Sequence, residues 1–232
     1  MSEGQRRRGG RQARIEAVAA KGADLVEKGA PNYTRPSSDA RVCVIACGAL
    51  AREILDVVEA NNLSHISLTC LPAKLHNTPE FITGAVERAI TDARKAGFTD
   101  IFCAYGDCGT GGHLDRLLER EKVARLPGAH CYAFFWGVED FMADVEIEMR
   151  AFFLTDFLAR HFDGLTWKTL GLDRHPELIK DYFGHYEKVI YLAQDPSAPM
   201  VDRAREIAER LGLAFEQRLT GYGDLETNLK TV

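Results

Sequence analysis

From Arg41 onward the chain alternates between two hydrophobic rhythms. Short β-branched or apolar runs fall at Val42–Ala46, His65–Thr69, Asp100–Tyr105, Ala129–Phe134, Lys188–Leu192 and Ala214–Arg218. Between them apolar positions recur at helical spacing over Ala49–Ala60, Pro79–Ala96, Leu114–Ala124, Val138–Met149, Pro176–Phe183 and Val201–Leu211. Strand-sized runs alternating with helix-sized stretches predict an α/β fold: a mainly parallel sheet with helices on both faces, in Rossmann-like layers. Val42-Cys43-Val44-Ile45-Ala46 is apolar without a break, as a strand covered on both faces should be, which puts it near the sheet centre. Thr78 before Pro79 predicts a helix start, and Gly97 a helix stop. Phe152-Phe153-Leu154 reads as a short strand, with Thr155 capping a helix over Asp156–His161.

Residues 1–40 follow neither rhythm. They carry Arg6, Arg7, Arg8, Arg11 and Arg14, then an alanine-rich segment with one predicted helix over Gln12–Glu27, then turn-forming residues from Ala30 to Ser38. This is the composition of a basic, partly flexible extension, or of a docking arm for a partner, ahead of a single α/β domain over 41–232. A hydrophobic content of 46% with 27% charged residues is enough for that domain to bury a core. The net charge of -5 argues against a nucleic-acid or anionic-membrane surface, and the longest apolar stretches are too short to cross a bilayer. With no apolar secretory segment behind the first arginines, the expected location is the cytoplasm, where the six cysteines stay reduced or bind metal.

In a parallel sheet, ligands bind beyond the carboxyl ends of the strands. Cys47 and Gly48 follow the first predicted strand, Cys70 to His76 the second, and Tyr105-Gly106-Asp107-Cys108-Gly109-Thr110-Gly111-Gly112-His113 the third; His130 and Cys131 fall in the fourth. Cys47, His76, Cys108 and Cys131 are thus the expected metal ligands, a thiolate and imidazole set suited to zinc, with iron or an iron–sulfur centre as alternatives. Cys43 and Cys103, inside strands, are expected to be core. Gly106, Gly109 and Gly111 suggest a second reading, in which backbone amides receive a phosphate or carboxylate, although the order of glycines is neither a dinucleotide fingerprint nor a P-loop. A third reading makes Cys108 a nucleophile assisted by His76, His113 or His130. Glu53, next to Arg52 one turn into the first helix, is a candidate proton carrier. The run Tyr132, Phe134, Phe135 and Trp136 reads as core and lid.

Ala46-Cys47-Gly48 with Glu53-Ile54, Leu75-His76-x-x-Pro79, Tyr105-Gly106-x-Cys108-Gly109-x-Gly111, Cys131 ahead of Gly137, and Phe153-Leu154-Thr155 occur in that order. Together they resemble a bacterial and archaeal family of domains of unknown function associated with corrinoid-dependent methylamine and betaine methyltransferase systems. The resemblance implies a role in one-carbon metabolism, a small-molecule substrate, and a corrinoid protein or methyltransferase as partner. It supports Cys47, His76, Cys108 and Cys131 as the site. The family pattern has an acidic residue just before Cys131, where this chain has His130, which makes His130 a candidate replacement in handling protons. Two functions follow as expectations: a zinc-dependent enzyme transferring a methyl or other one-carbon group, or a non-catalytic metal or small-ligand carrier of such a system. Direct corrinoid binding is less well supported, because Asp173-x-His175-x-x-Leu178 lacks the glycine of a corrinoid-binding motif.

Overall fold

The computed structural model describes residues 22–29, 41–143, 149–194 and 200–232. The fold is α/β, as the alternating pattern predicts, but its strands form two sheets rather than one. The first has the order β2-β1-β3-β4, built from β1 (Val42–Cys47), β2 (Ile66–Leu71), β3 (Asp100–Ala104) and β4 (Ala124–Arg125). The second has the order β5-β6-β7, built from β5 (Ala151–Thr155), β6 (Lys188–Ala193) and β7 (Ala214–Leu219). The chain divides into two compact units, residues 1–102 and 103–232.

In the first unit β1 and β2 pair in parallel with Val42 opposite Ile66 and Cys47 opposite Leu71. Every residue of β1 is buried, which accounts for its unbroken apolar sequence. Helix α2 (Ala51–Ala60) buries Ala51, Glu53, Ile54 and Val57, and α3 (Ile82–Lys95) buries Ile82, Ala85, Val86, Ile90 and Ala93. The expected start of α3 is a single 3-10 turn over Pro79–Phe81; Pro79 takes the first position, but the Thr78 side chain makes no cap bond. The expected stop is present: Gly97 has φ +94°, with its N–H and that of Phe98 donating back to the carbonyls of Arg94 and Ala93. Helix α1 (Gly22–Glu27) is the described part of the predicted Gln12–Glu27 helix; residues 12–21 lie outside the described residues. Far from trailing, α1 buries Leu25 and Val26 and ties Glu27 to Lys74 at 2.8 Å. Burying the two apolar side chains contributes about 1.5–3 kcal/mol each.

The second unit is organised around β5-β6-β7, with Phe153 opposite Ile190 and Val189 opposite Phe215. Because strand side chains alternate, β5 and β6 feed two cores. Leu154, Val189, Tyr191 and Ala193 pack with α7 (Asp156–Phe162) and α9 (Val201–Leu211). On the other face, Ala151, Phe153, Ile190 and Leu192 pack with Ala133 of α5 (Ala133–Trp136) and Phe141 of α6 (Val138–Ala143). Thr155 caps α7 as predicted, accepting from the Leu158 N–H at 3.3 Å. Of the predicted Val138–Met149 helix, residues 144–148 lie outside the described residues. Helices α4 (His113–Glu121) and α8 (Ile179–Phe183) complete the predicted set.

Ala129–Phe134 is not a strand. Residues 128–132 form a bend and turn leading into α5, and the fourth strand is the two-residue β4 upstream. A short apolar run has no period that separates strand from helix, and here tertiary contacts decide. Phe134 and Phe135 are adjacent in sequence yet both buried, which a helical turn allows when structure packs on two sides. One of those sides is α10 (Gly223–Leu229), which meets α5 so closely that a Cβ at Gly223 would stand 2.5 Å from the carbonyl oxygens of both Phe134 and Phe135. Asp224 then accepts the first N–H of α6, from Val138, at 2.7 Å. Gly223→Ala, which combines that clash with φ +47°, is expected to lower stability by about 1–3 kcal/mol in urea unfolding, and Asp224→Ala by about 1 kcal/mol. Unchanged midpoints for both would contradict this account of α10.

Candidate functional site

The glycine-rich loop after β3 folds around its own acid. The Asp107 carboxylate accepts from Thr110 Oγ1 at 2.5 Å, Gly112 N at 2.9 Å and Gly111 N at 3.1 Å. Burial works against the ionised form, but the bonds from Thr110 and the amides of Gly112, Gly111 and Gly109 outweigh it and hold the carboxyl below its ordinary 3.8. The amides of Gly109 and Gly111, expected to receive a phosphate or carboxylate ligand, thus enclose a carboxylate of the chain itself. What the loop presents instead is sulfur. Cys108, at φ +49°, is held in the left-handed region that non-glycine residues seldom occupy.

A second loop, from Leu126 to Tyr132, brings the partner. Two backbone bonds join the loops: Asp107 N–H to Gly128 O at 2.9 Å and Cys108 N–H to Ala129 O at 2.7 Å. Gly106 sits directly against the second loop, where a Cβ would lie 2.8 Å from the carbonyl carbon of His130 and 3.0 Å from Cys131 N. Only glycine permits that approach. The Gly106 N–H donates to Cys131 Sγ at 3.4 Å, and Cys131 Sγ lies 3.3 Å from Cys108 Sγ. His130 stacks on Tyr132 with ring centroids 4.9 Å apart, and Tyr132 stacks on Phe153 at 5.1 Å. The aromatic run therefore anchors the cysteine loop to β5 from a helical turn, rather than from a strand.

Arg125, which sequence reasoning missed, fastens both loops. Its guanidinium holds Asp115 of α4 through two bonds, at 2.6 and 3.0 Å. Its Nη1 reaches the carbonyls of Leu126 at 2.6 Å, Tyr105 at 3.4 Å and Gly128 at 3.5 Å. The only signal in the sequence is an arginine between the apolar Val123 and Leu126, just before Pro127-Gly128.

Cys47 closes β1, and His76 is exposed on a 3-10 turn over Ala73–Asn77; both belong to the first unit. Glu53, on the first turn of α2, is buried, and Arg52 beside it pairs with Asp56 at 3.8 Å. Cys70, expected to open the loop after the second strand, lies inside β2, and its thiol is pushed well above the ordinary 9.0 by burial and then by the nearby Cys47 and Glu53. Cys43 and Cys103 are core, as expected; burial pushes the Cys103 thiol up to about 12. His113 opens α4 and is exposed. Among the described residues, no group of three or more His, Cys, Asp and Glu side chains is arranged to hold a metal ion. Nor, among those residues, is any helix long and apolar enough to cross a membrane.

Fold and site together define a parallel-sheet α/β protein in which two neighbouring loops bring a pair of cysteine sulfurs together. The chain belongs to the family described as protein of unknown function (DUF1638), whose model matches residues 70–229. The matched span includes Cys108, Arg125 and Cys131 and begins after Cys47 and Glu53. No curated protein matches the chain significantly.

Arg125→Met is expected to lower stability by about 1–3 kcal/mol, because three carbonyls lose Nη1 and Asp115 loses Nε and Nη2, with Asp115 partly compensated by solvent. Arg125→Lys should recover only part of this, since a point charge cannot span the same acceptors; full recovery in denaturant unfolding would show that charge alone suffices. Asp107 generates a pH dependence. A carboxyl more acidic folded than unfolded contributes fully above about pH 4 and loses that contribution as pH falls through its folded value. The stability difference between the native chain and Asp107→Asn should therefore shrink below about pH 4; a difference that stays constant from about pH 7 to about pH 3 contradicts the carboxylate cradle.

Proposed function

We propose that this protein is a metal-dependent enzyme that transfers a methyl or other one-carbon group, with Cys108 and Cys131 supplying thiolates to a zinc ion. The observation that carries this reading is the 3.3 Å separation of the two sulfurs, delivered by separate loops. Two thiolates, each about 2.3 Å from a tetrahedral zinc, stand about 3.8 Å apart, so the pair needs to open by only about half an ångström. Thiolates select zinc or iron over magnesium and calcium, and the Gly106 N–H on Cys131 Sγ is the kind of outer-shell bond that orients a ligand sulfur.

When bound, zinc supplies a nucleophile at neutral pH by keeping a thiolate ionised, its own ligand or a substrate thiol. The chain supplies the rest. Arg125 and the paired loop backbones hold the sulfurs in register, and His130, next to Cys131 in sequence and stacked on Tyr132, is the residue that would handle protons. The order of motifs shared with corrinoid-associated proteins supports a one-carbon group as cargo and a corrinoid protein or methyltransferase as partner. A phosphate-binding enzyme is the weaker reading, because the amides of Gly111 and Gly112 already donate to Asp107.

Elemental analysis of the full chain purified from zinc-supplemented cells tests the proposal. About one zinc per chain is expected, and both Cys108→Ser and Cys131→Ser should lose it while keeping the native circular dichroism. Cobalt substitution should give a sulfur-to-metal charge-transfer band that either variant abolishes. A native chain that takes up neither metal, or serine variants that retain full zinc, would overturn the proposal.

A further inference from the structure

We infer that Cys108 and Cys131 also form a redox couple that closes to an intramolecular disulfide by exchange with a small disulfide. This goes beyond metal binding and does not require it, since the two uses of the sulfurs exclude each other. The sulfurs stand 3.3 Å apart, about 1.3 Å beyond a disulfide bond length, although 23 positions separate them in sequence. The cost of bringing distant residues together is already met by folding. Backbone bonds from Asp107 and Cys108 to Gly128 and Ala129, together with Arg125, hold the loops on both sides of the pair.

Cys131 also differs from the other five cysteines in access, Cys108 being 8% exposed. Cys43, Cys47, Cys70 and Cys103 are 0–6% exposed, whereas Cys131 is only half-buried. Thiol exchange requires an approach in line with the sulfur being attacked, so exposure selects Cys131 as the entry point. The Gly106 N–H donates to the Cys131 sulfur and fixes its position. Cys131 Sγ attacks the small disulfide RS–SR, forming a mixed disulfide and releasing one RSH. Cys108 Sγ then attacks Cys131 Sγ and expels the second RSH. The balance is two cysteine thiols plus RS–SR giving one cystine plus two RSH; the pair loses two electrons and the small disulfide gains them. Closure would remove both sulfurs from any metal, so the same two residues could couple that site to the thiol balance around it.

The test uses the full chain, stripped of metal with a chelator and incubated natively with oxidised glutathione, then acid-quenched, alkylated and weighed intact. The expected product has lost two hydrogens, carries no glutathione, retains four alkylatable thiols of the original six, and yields a Cys108–Cys131 cross-linked peptide. Cys108→Ser should stop at a single glutathione adduct on Cys131, a readout that a merely structural role would not produce; Cys131→Ser should give neither closure nor adduct. Six alkylatable thiols after incubation, or a cross-link between any other pair, would overturn the inference. Parallel metal analysis separates the two readings: closure in a chain that never takes up zinc sinks only the metal proposal, and zinc uptake without closure sinks only this one.

Discussion

The guanidinium of Arg125 is the interaction on which the cysteine site depends. Strand β4 is two residues long, too short for ladder hydrogen bonds to align the loops that follow β3 and β4. Arg125 sits at its end and replaces the missing ladder with directed donors, to Tyr105 on one loop and to Leu126 and Gly128 on the other. Asp115 fixes the opposite edge of the same plane from α4. A planar, permanently charged fork can serve a carboxylate and several carbonyls at once, which is why this position is occupied by arginine rather than lysine. The two interloop backbone bonds, and through them the sulfur separation, inherit that alignment.

The glycine-rich loop shows how similar composition can serve opposite ends. In a phosphate-binding loop, successive amides are left pointing at an empty concavity. Here Asp107 fills the concavity from within, and turning the loop inward brings Cys108 into a left-handed conformation aimed at Cys131. The same glycine pattern that suggested an anion site therefore builds a sulfur site, and the difference rests on one aspartate.

Much of the fold was legible because its period is local. The limits of α9 match the predicted Val201–Leu211, since its apolar face at Ala204, Ile207, Ala208 and Leu211 has an unambiguous helical repeat. β1 and β6 were legible as unbroken apolar runs. Ala129–Phe134 was not, because its conformation is set by the backbone approach at Gly106 and by α10, contacts distant in sequence. At the site, Cys108 stood out by its setting in a glycine-rich loop after a strand, whereas Cys131 was placed within the predicted strand Ala129–Phe134; Cys43 and Cys103 were assigned to the core by their places inside strands. Arg125 was invisible because its main partners are carbonyl oxygens, which every residue possesses. Cys70 was placed in a loop because the run His65–Thr69 carries no signal that pairing with β1 extends β2 to Leu71.

The seating of α10 on α5 reaches beyond the fold to the cysteine site. The Phe134 and Phe135 carbonyls that touch Gly223 begin three residues after Cys131, and the intervening Tyr132 is wedged against Phe153. The cysteine loop is thus braced on one side by α10 and on the other by β5. α10 is thereby a buttress behind the cysteine loop: Gly223 and Asp224, distant from it in sequence, fix the backbone from which Cys131 projects.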